Sequence, residues 1–340
     1  MLEYHVDGFV VNPYSVPWKM LCADPLLKDI KLMRKDDAFQ NIMRRFLKGD
    51  ENMINDVIWA LSHHSATDGK CNYITAQTGF TLWDLVSYDC KHNEANGENN
   101  TDGPDFNFSW NCGAEGPSRK KAVMALRKNQ VRNAFQLLLL AQGTPCILAG
   151  DEFYNSQKGN NNVYCQDNET GWVDWTKLKT DNTLFNYVKE LIAFRKNHPC
   201  LHRAEELKGL DRTACGMPDV SYHGENAWQG ESGVYSRQLG VLYAGEDLGD
   251  TECFTAYNMH WLPHEYALPS PGKGKRWCLA ADTEGGFKET PVPVEDQKKI
   301  ELKERSITVL VSGKLPEQPK KSASRSRAKK SSGKGGVQEK

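Results

Sequence analysis

The chain has 340 residues, 39% of them hydrophobic and 26% charged, which is room for about two domains with a packed core and excludes disorder over the whole length. The longest apolar stretch, 137–141, is far short of the ~18 residues of a membrane-spanning helix, so none is expected. The net charge of −1 hides an asymmetry: residues 314–340 carry nine Lys/Arg against two acids, leaving 34 against 42 in the rest.

Taken in chain order, short apolar runs alternate with helical spacing. Residues 4–11 and 29–33 read as strands, 39–47 and 53–61 as helices, and 71–75 as a strand. The clearest helix covers 119–142, opened by Pro117-Ser118 and stopped by Gly143, with Val131, Phe135 and Leu138 on its apolar face. A buried strand at 145–149 and a helix at 184–194 follow, and Pro199 closes this half. Beyond about residue 203 the texture changes. Residues 234–237, 239–243, 254–258, 277–281 and 306–311 are short strand patterns separated by Gly, Pro and Asp, as in an antiparallel β-sandwich. From 316 the composition is Lys/Ser/Gly/Arg-rich, predicting a disordered, solvated basic tail. No aromatic residue interleaves its charges, so nucleic-acid binding is not expected of it.

The ten cysteines are never closer than fifteen residues apart, so no CxxC zinc or redox motif exists. Nor does the start of the sequence show a basic leader or an apolar signal core. Together these predict reduced thiols in a cytoplasmic protein. His198 and His202, and His260 and His264, have helical ligand spacing, but Pro199 and Pro263 interrupt it, so no metal site is expected.

The segments between the predicted elements are dense in Asn and aromatic residues, at 92–98, 109–113 and 159–162. Loops that follow strands of a βα fold gather at the carboxyl edge of its sheet, where ligands bind. Amide side chains bond hydroxyls in both directions and indoles cover apolar sugar faces, so Trp110, Asn160, Asn161 and Asn162 are candidate contacts for a polyol. Taken alone, these residues favour a structural role in turns and core.

Three stretches shift that balance. His5-Val6-Asp7-Gly8-Phe9, then 73–82 (YITAQTGFTL), then Ala149-Gly150-Asp151-Glu152-Phe153 resemble motifs of isoamylase-type glycogen debranching enzymes, of glycoside hydrolase family 13 in the α-amylase superfamily. The segments 91–98, 110–117, 127–135, 159–169, 172–175, 218–224 and 257–261 extend the resemblance over about residues 2 to 312. It implies an α/β fold: the later part of a (β/α)₈ TIM barrel, about strands 4 to 8, in residues 1–203. An antiparallel β-sandwich in 204–313 and the basic tail in 314–340 would follow. It also implies an α-glucan such as glycogen or starch as partner, no cofactor, and retaining hydrolysis of α-1,6 linkages by two carboxyl groups about 5–5.5 Å apart.

The catalytic motifs depart from the family pattern. Where the family motif HVDGFRFD carries its arginine and its nucleophilic Asp, this chain has Val10 and Asn12. The acid-bearing loop expected after 24–33 is replaced by 34–40 (RKDDAFQ), and the closing His-Asp of a later motif is Gln77-Thr78. An amide is a very poor nucleophile and brings no charge to an oxocarbenium-like centre. The sequence therefore predicts a chain without hydrolytic activity. Asp36, Asp37, Glu94, Asp151 and Glu152 are the acids that an active alternative would have to use. The resemblance also places the first barrel units outside this chain, so that a missing N-terminal half or a protein partner would have to cover the open edges of the sheet.

Overall fold

The structure is a computed structural model that describes residues 6–12, 14–64, 69–230 and 232–315. Its first half alternates short strands with helices: β1 (Gly8–Val10), α1 (Trp18–Ala23), β2 (Lys31–Lys35), α2 (Asp37–Lys48), α3 (Ile54–Ser62), β3 (Lys70–Asn72), α4 (Leu82–Leu85), α5 (Lys121–Leu139) and β4 (Thr144–Pro145). Helices α6 (Thr176–Thr180) and α7 (Thr183–Asn197) complete it. The four strands form one parallel sheet in the order β1-β2-β3-β4. The family resemblance implies about five barrel strands, whereas the sheet among the described residues has four. The outermost, β4, is two residues long because the chain turns away after Cys146, whose amide donates to Asn72 O at 2.7 Å.

Helix α2 shows how local sequence sets the elements. Phe39, Met43, Phe46 and Leu47 recur at helical spacing and are all buried. Asp36 caps the amino end, accepting from the amides of Ala38 at 3.1 Å and Phe39 at 3.3 Å. Gly49 ends the helix at φ +89°, a left-handed conformation that glycine adopts without steric cost.

The second half is β-rich, with strands β5 (Val220–His223), β6 (Gln238–Tyr243), β7 (Cys253–Asn258), β8 (His264–Ala267), β9 (Lys275–Asp282), β10 (Gly286–Pro293), β11 (Lys299–Leu302) and β12 (Ser306–Lys314). Six of them make an antiparallel sheet in the order β10-β9-β12-β7-β6-β5, and β8 pairs with β11 in a separate ribbon. The expected strand at 234–237 is a turn, and pairing starts at Gln238. The pattern also missed β5, β8, β10 and β11: β8, β10 and β11 have exposed positions and therefore weak apolar signals, and β5 is a four-residue edge strand with two half-buried positions.

One face of the six-stranded sheet packs on α5 and α7, and its Ile307, Val309 and Val311 share a single core with Phe135, Leu138 and Leu191. The other face is closed by the ribbon, where Tyr266 and Leu302 meet Phe254, Trp277 and Leu310. The expected basic tail lies, from residue 316 onward, outside the described residues. Among the described residues no helix is long and apolar enough to cross a membrane.

Candidate functional site

The positions that the sequence singles out converge, in part, at the carboxyl edge of the parallel sheet. Val10 ends β1 and is 40% exposed. Asn12 follows it, with its side-chain oxygen accepting from the amide of Tyr14 at 3.0 Å in a local turn. On the neighbouring strands, Lys35 at the end of β2 donates to Gln77 Oε1 at 2.5 Å and lies 5.4 Å from the centre of the Tyr73 ring. Gln77 and Thr78 are exposed on the loop after β3. The edge therefore offers the amides of Asn12 and Gln77, the Lys35 ammonium and the Thr78 hydroxyl, with Asn12 and Thr78 standing where the family motifs hold carboxylates.

Both acids of the replacement loop are engaged elsewhere. Asp36 caps α2 and pairs with Lys70 at 3.4 Å. Asp37 accepts the Tyr73 hydroxyl proton, and burial followed by this contact pushes the Tyr73 phenol well above its ordinary pKa. One layer below, Arg44 reaches in from α2 and donates from Nε to Ile74 O at 2.8 Å and from a terminal nitrogen to Asn107 O at 3.1 Å. Burial lowers its pKa to about 10.

Asp151 is also internal. It accepts from the Thr75 hydroxyl and from the amide of Leu82 at 2.8 Å, tying the start of α4 to the end of the parallel sheet. Complete burial pushes its carboxyl up to about 7. Glu152 folds back to accept from the Gly150 amide at 2.8 Å, while Glu94 sits exposed on a short 3₁₀ turn.

The expected polyol contacts are placed differently from the sequence reading. Asn160 and Asn161 are buried at 2% and 1% exposure. The Asn161 amide donates to Pro104 O at 2.8 Å and to Asn107 Oδ1 at 3.1 Å, and its oxygen accepts from Asn93 at 2.8 Å. Asn160 donates to Asn96 at 2.8 Å, and Asn162 donates to Asp102 at 2.8 Å. The Asn96 amide in turn holds Asp102 below the usual carboxylate range. These amides are spent inside the protein and hold the loop, because Asn161 O also accepts the Gly79 amide at 2.8 Å, just past Thr78. Trp110 is partly buried, and the guanidinium of Arg305, from the second half, lies 4.7 Å from its ring centre. Asn160 and Asn161 therefore brace the loop, because a buried polar group must spend its hydrogen bonds internally, whereas Asn162 and Trp110 are half-buried. Sequence spacing could not find Arg44 or the Asp151–Thr75 clasp, because both join residues distant in the chain.

With this geometry described, comparison with known proteins becomes informative. No family model matches the sequence. Among relatives, the chain is 30% identical over 373 aligned residues to the glycogen operon protein GlgX homolog of Mycobacterium tuberculosis strain ATCC 25618 / H37Rv, covering 91% of this chain and 51% of that protein. The chain belongs to the isoamylase-type glycogen debranching family of glycoside hydrolase family 13. Within that family it is 35% identical to isoamylase SU1 of Zea mays over 90% of this chain and 45% of that protein. It is 52% identical to the glycogen debranching enzyme of Erwinia tasmaniensis over 59% of this chain and 36% of that protein. The chain thus spans half the length, or less, of these curated relatives. A pullulanase from Bacillus acidopullulyticus shares the fold with a TM-score of 0.58 at 16% identity, over 82% of this chain and 30% of that one.

Proposed function

We propose that this chain is a cytoplasmic, α-glucan-associated member of its family that does not hydrolyse the glucan. The observation that carries this reading is Asn12 at the end of β1, where the family motif would hold its nucleophile, beside a β2 terminus whose acids serve a helix cap and a tyrosine. Retaining cleavage needs a nucleophilic carboxylate facing a carboxylic acid across the glycosidic bond. Asn12, Gln77 and Thr78 are exposed at this edge and Lys35 is half-buried; these groups can hydrogen-bond sugar hydroxyls and cannot form a glycosyl ester, and the exposed carboxylate of Asp37 is engaged by the Tyr73 hydroxyl. The ten free cysteines accord with a reducing compartment.

The architecture we infer is the later part of a (β/α)₈ barrel in 1–203, followed by a β-sandwich in 204–313. In that arrangement both margins of the parallel sheet, β1 and β4, are left for further strands, supplied by a missing N-terminal half or by a partner chain. A cavity of about 800 Å³ beside β4, lined by the apolar Leu139, Pro145, Ile147 and Ile192 and by the basic Lys31, Arg195, Lys196 and His202, supports a packing partner there.

The test is electrophoresis of the full chain through native gels with and without glycogen, paired with an assay for new reducing ends. The expected result is selective retardation without reducing-end release, and weaker retardation for Gln77→Ala and Thr78→Ala. Reducing ends that vanish in Asp36→Asn or Asp151→Asn would establish an active enzyme using one of those acids. A sharp unretarded band would overturn glucan association and leave an interaction role.

A further inference from the structure

The parallel sheet brings together two thiols that the proposed glucan site does not use. Cys71 in β3 stands in register between Lys35 of β2 and Thr144 of β4. Cys146 lies two residues beyond Thr144, with its amide still bonded to Asn72 O. Side chains alternate across a strand, so this spacing returns Cys146 to the face that carries Cys71. The two side chains are near enough to influence one another. Accessibility separates them: Cys71 is fully buried, whereas Cys146 is half-buried. Interaction with Cys71, together with the nearby Lys35 ammonium, holds the Cys146 thiol below its ordinary range, while Cys71 is held above it. The buried Cys200 and Cys253 have no such access, and Cys22, Cys90, Cys165 and Cys215 are exposed.

We propose that Cys146 and Cys71 form a reversible disulfide, with Cys146 as the sulfur that a hydroperoxide reaches first and Cys71 as the resolving thiol. The Cys146 thiolate attacks one oxygen of hydrogen peroxide, the O–O bond breaks, and hydroxide leaves and takes up a proton as water. Cys146 is then a sulfenic acid. Cys71 loses its proton and attacks the Cys146 sulfur, the S–O bond breaks, and a second water departs. Two thiols and one peroxide give one disulfide and two waters, the sulfurs together losing the two electrons that the peroxide gains. A dithiol reverses the reaction by exchange. The bond staples the two-residue β4 to β3 and closes a loop that contains all of α5.

The experiment treats the full reduced chain with hydrogen peroxide, blocks remaining thiols with an alkylating reagent, and maps peptides without reduction. The expected product is a Cys71 peptide joined to a Cys146 peptide and released by dithiothreitol. In Cys71→Ser, a sulfenic-acid trap such as dimedone should label Cys146 instead. Oxidised wild type should also unfold several degrees above reduced wild type. The proposal is overturned if both cysteines remain alkylatable while the exposed cysteines oxidise, or if Cys146 joins a cysteine other than Cys71. The wild-type peptide map decides this whether or not the serine variant folds.

Discussion

Asp151 has an acid–base behaviour that follows from its position. In the unfolded chain an aspartate ionises near pH ~3.9; in the fold, burial moves this carboxyl up to about 7. Below about pH 4 it is neutral in both states, and its full contribution to stability is present. Between about pH 4 and 7 the native state binds the proton and the unfolded state does not, so stability falls as pH rises. The loss is on the order of a few kcal/mol and is complete above the folded pKa. In Asp151→Asn the amide oxygen can still accept from Leu82 and its nitrogen can donate to Thr75, without a charge to bury. The variant should match wild type near pH 4 and exceed it increasingly toward pH 7, as read by urea unfolding at a series of pH values. A constant difference across that range would mean that Asp151 is ionised in the native state.

At the scale of elements, Asp36 is the junction between the helix cap and the missing acid. Asp36→Asn keeps a side-chain oxygen for the amides of Ala38 and Phe39 and should leave α2 nearly as stable; Asp36→Ala should cost about 1 kcal/mol by chemical denaturation. If Asp36 were instead a catalytic acid, Asn and Ala would be equally inactive whatever their stability. Helix α2 is readable in the sequence because Phe39, Met43, Phe46 and Leu47 mark one face. Helices α3, α5 and α7 and the central strands β6, β7 and β12 follow from the same regularities, since each buries a continuous face. Strands β10 and β11 escape this reading because exposed residues dominate them, and 234–237 misleads because Val234 and Tyr235 are exposed despite their strand propensity. At the site, the departures from the family motifs at 10, 12, 77 and 78, with carboxylates lost at 12 and 78, are visible residue by residue. The bracing role of Asn160 and Asn161 is not visible, because an amide that binds a sugar and one that binds a neighbouring loop have the same local sequence.

For the whole molecule, the decisive feature is the interface between the helical half and the six-stranded sheet. Its apolar part is one continuous core, and its polar part centres on Thr283, which is fully buried. The Thr283 hydroxyl accepts from the Ile307 amide at 2.8 Å and from Gln136 at 3.2 Å, and donates to Asn133 at 2.7 Å. Asn133 also donates to Arg305 O at 2.7 Å, and Arg132 donates to Thr283 O and Glu284 O at 3.0 Å each. Helix α5 is thereby bound to the turn that follows β9 and to the residue that precedes β12, with Thr283, Asn133 and Gln136 buried and Arg132 half-buried. Thr283→Val keeps the shape and removes the hydroxyl, so that the Ile307 amide, the Gln136 side-chain nitrogen and the Asn133 side-chain oxygen each lose their bond to it. This should cost about 2 kcal/mol or more. Because the two halves share their core, the loss should lower a single transition seen alike by far-ultraviolet circular dichroism and by tryptophan fluorescence. Two separated transitions, with only one moved by Thr283→Val, would show instead that the halves unfold independently and that their shared core contributes little to cooperativity.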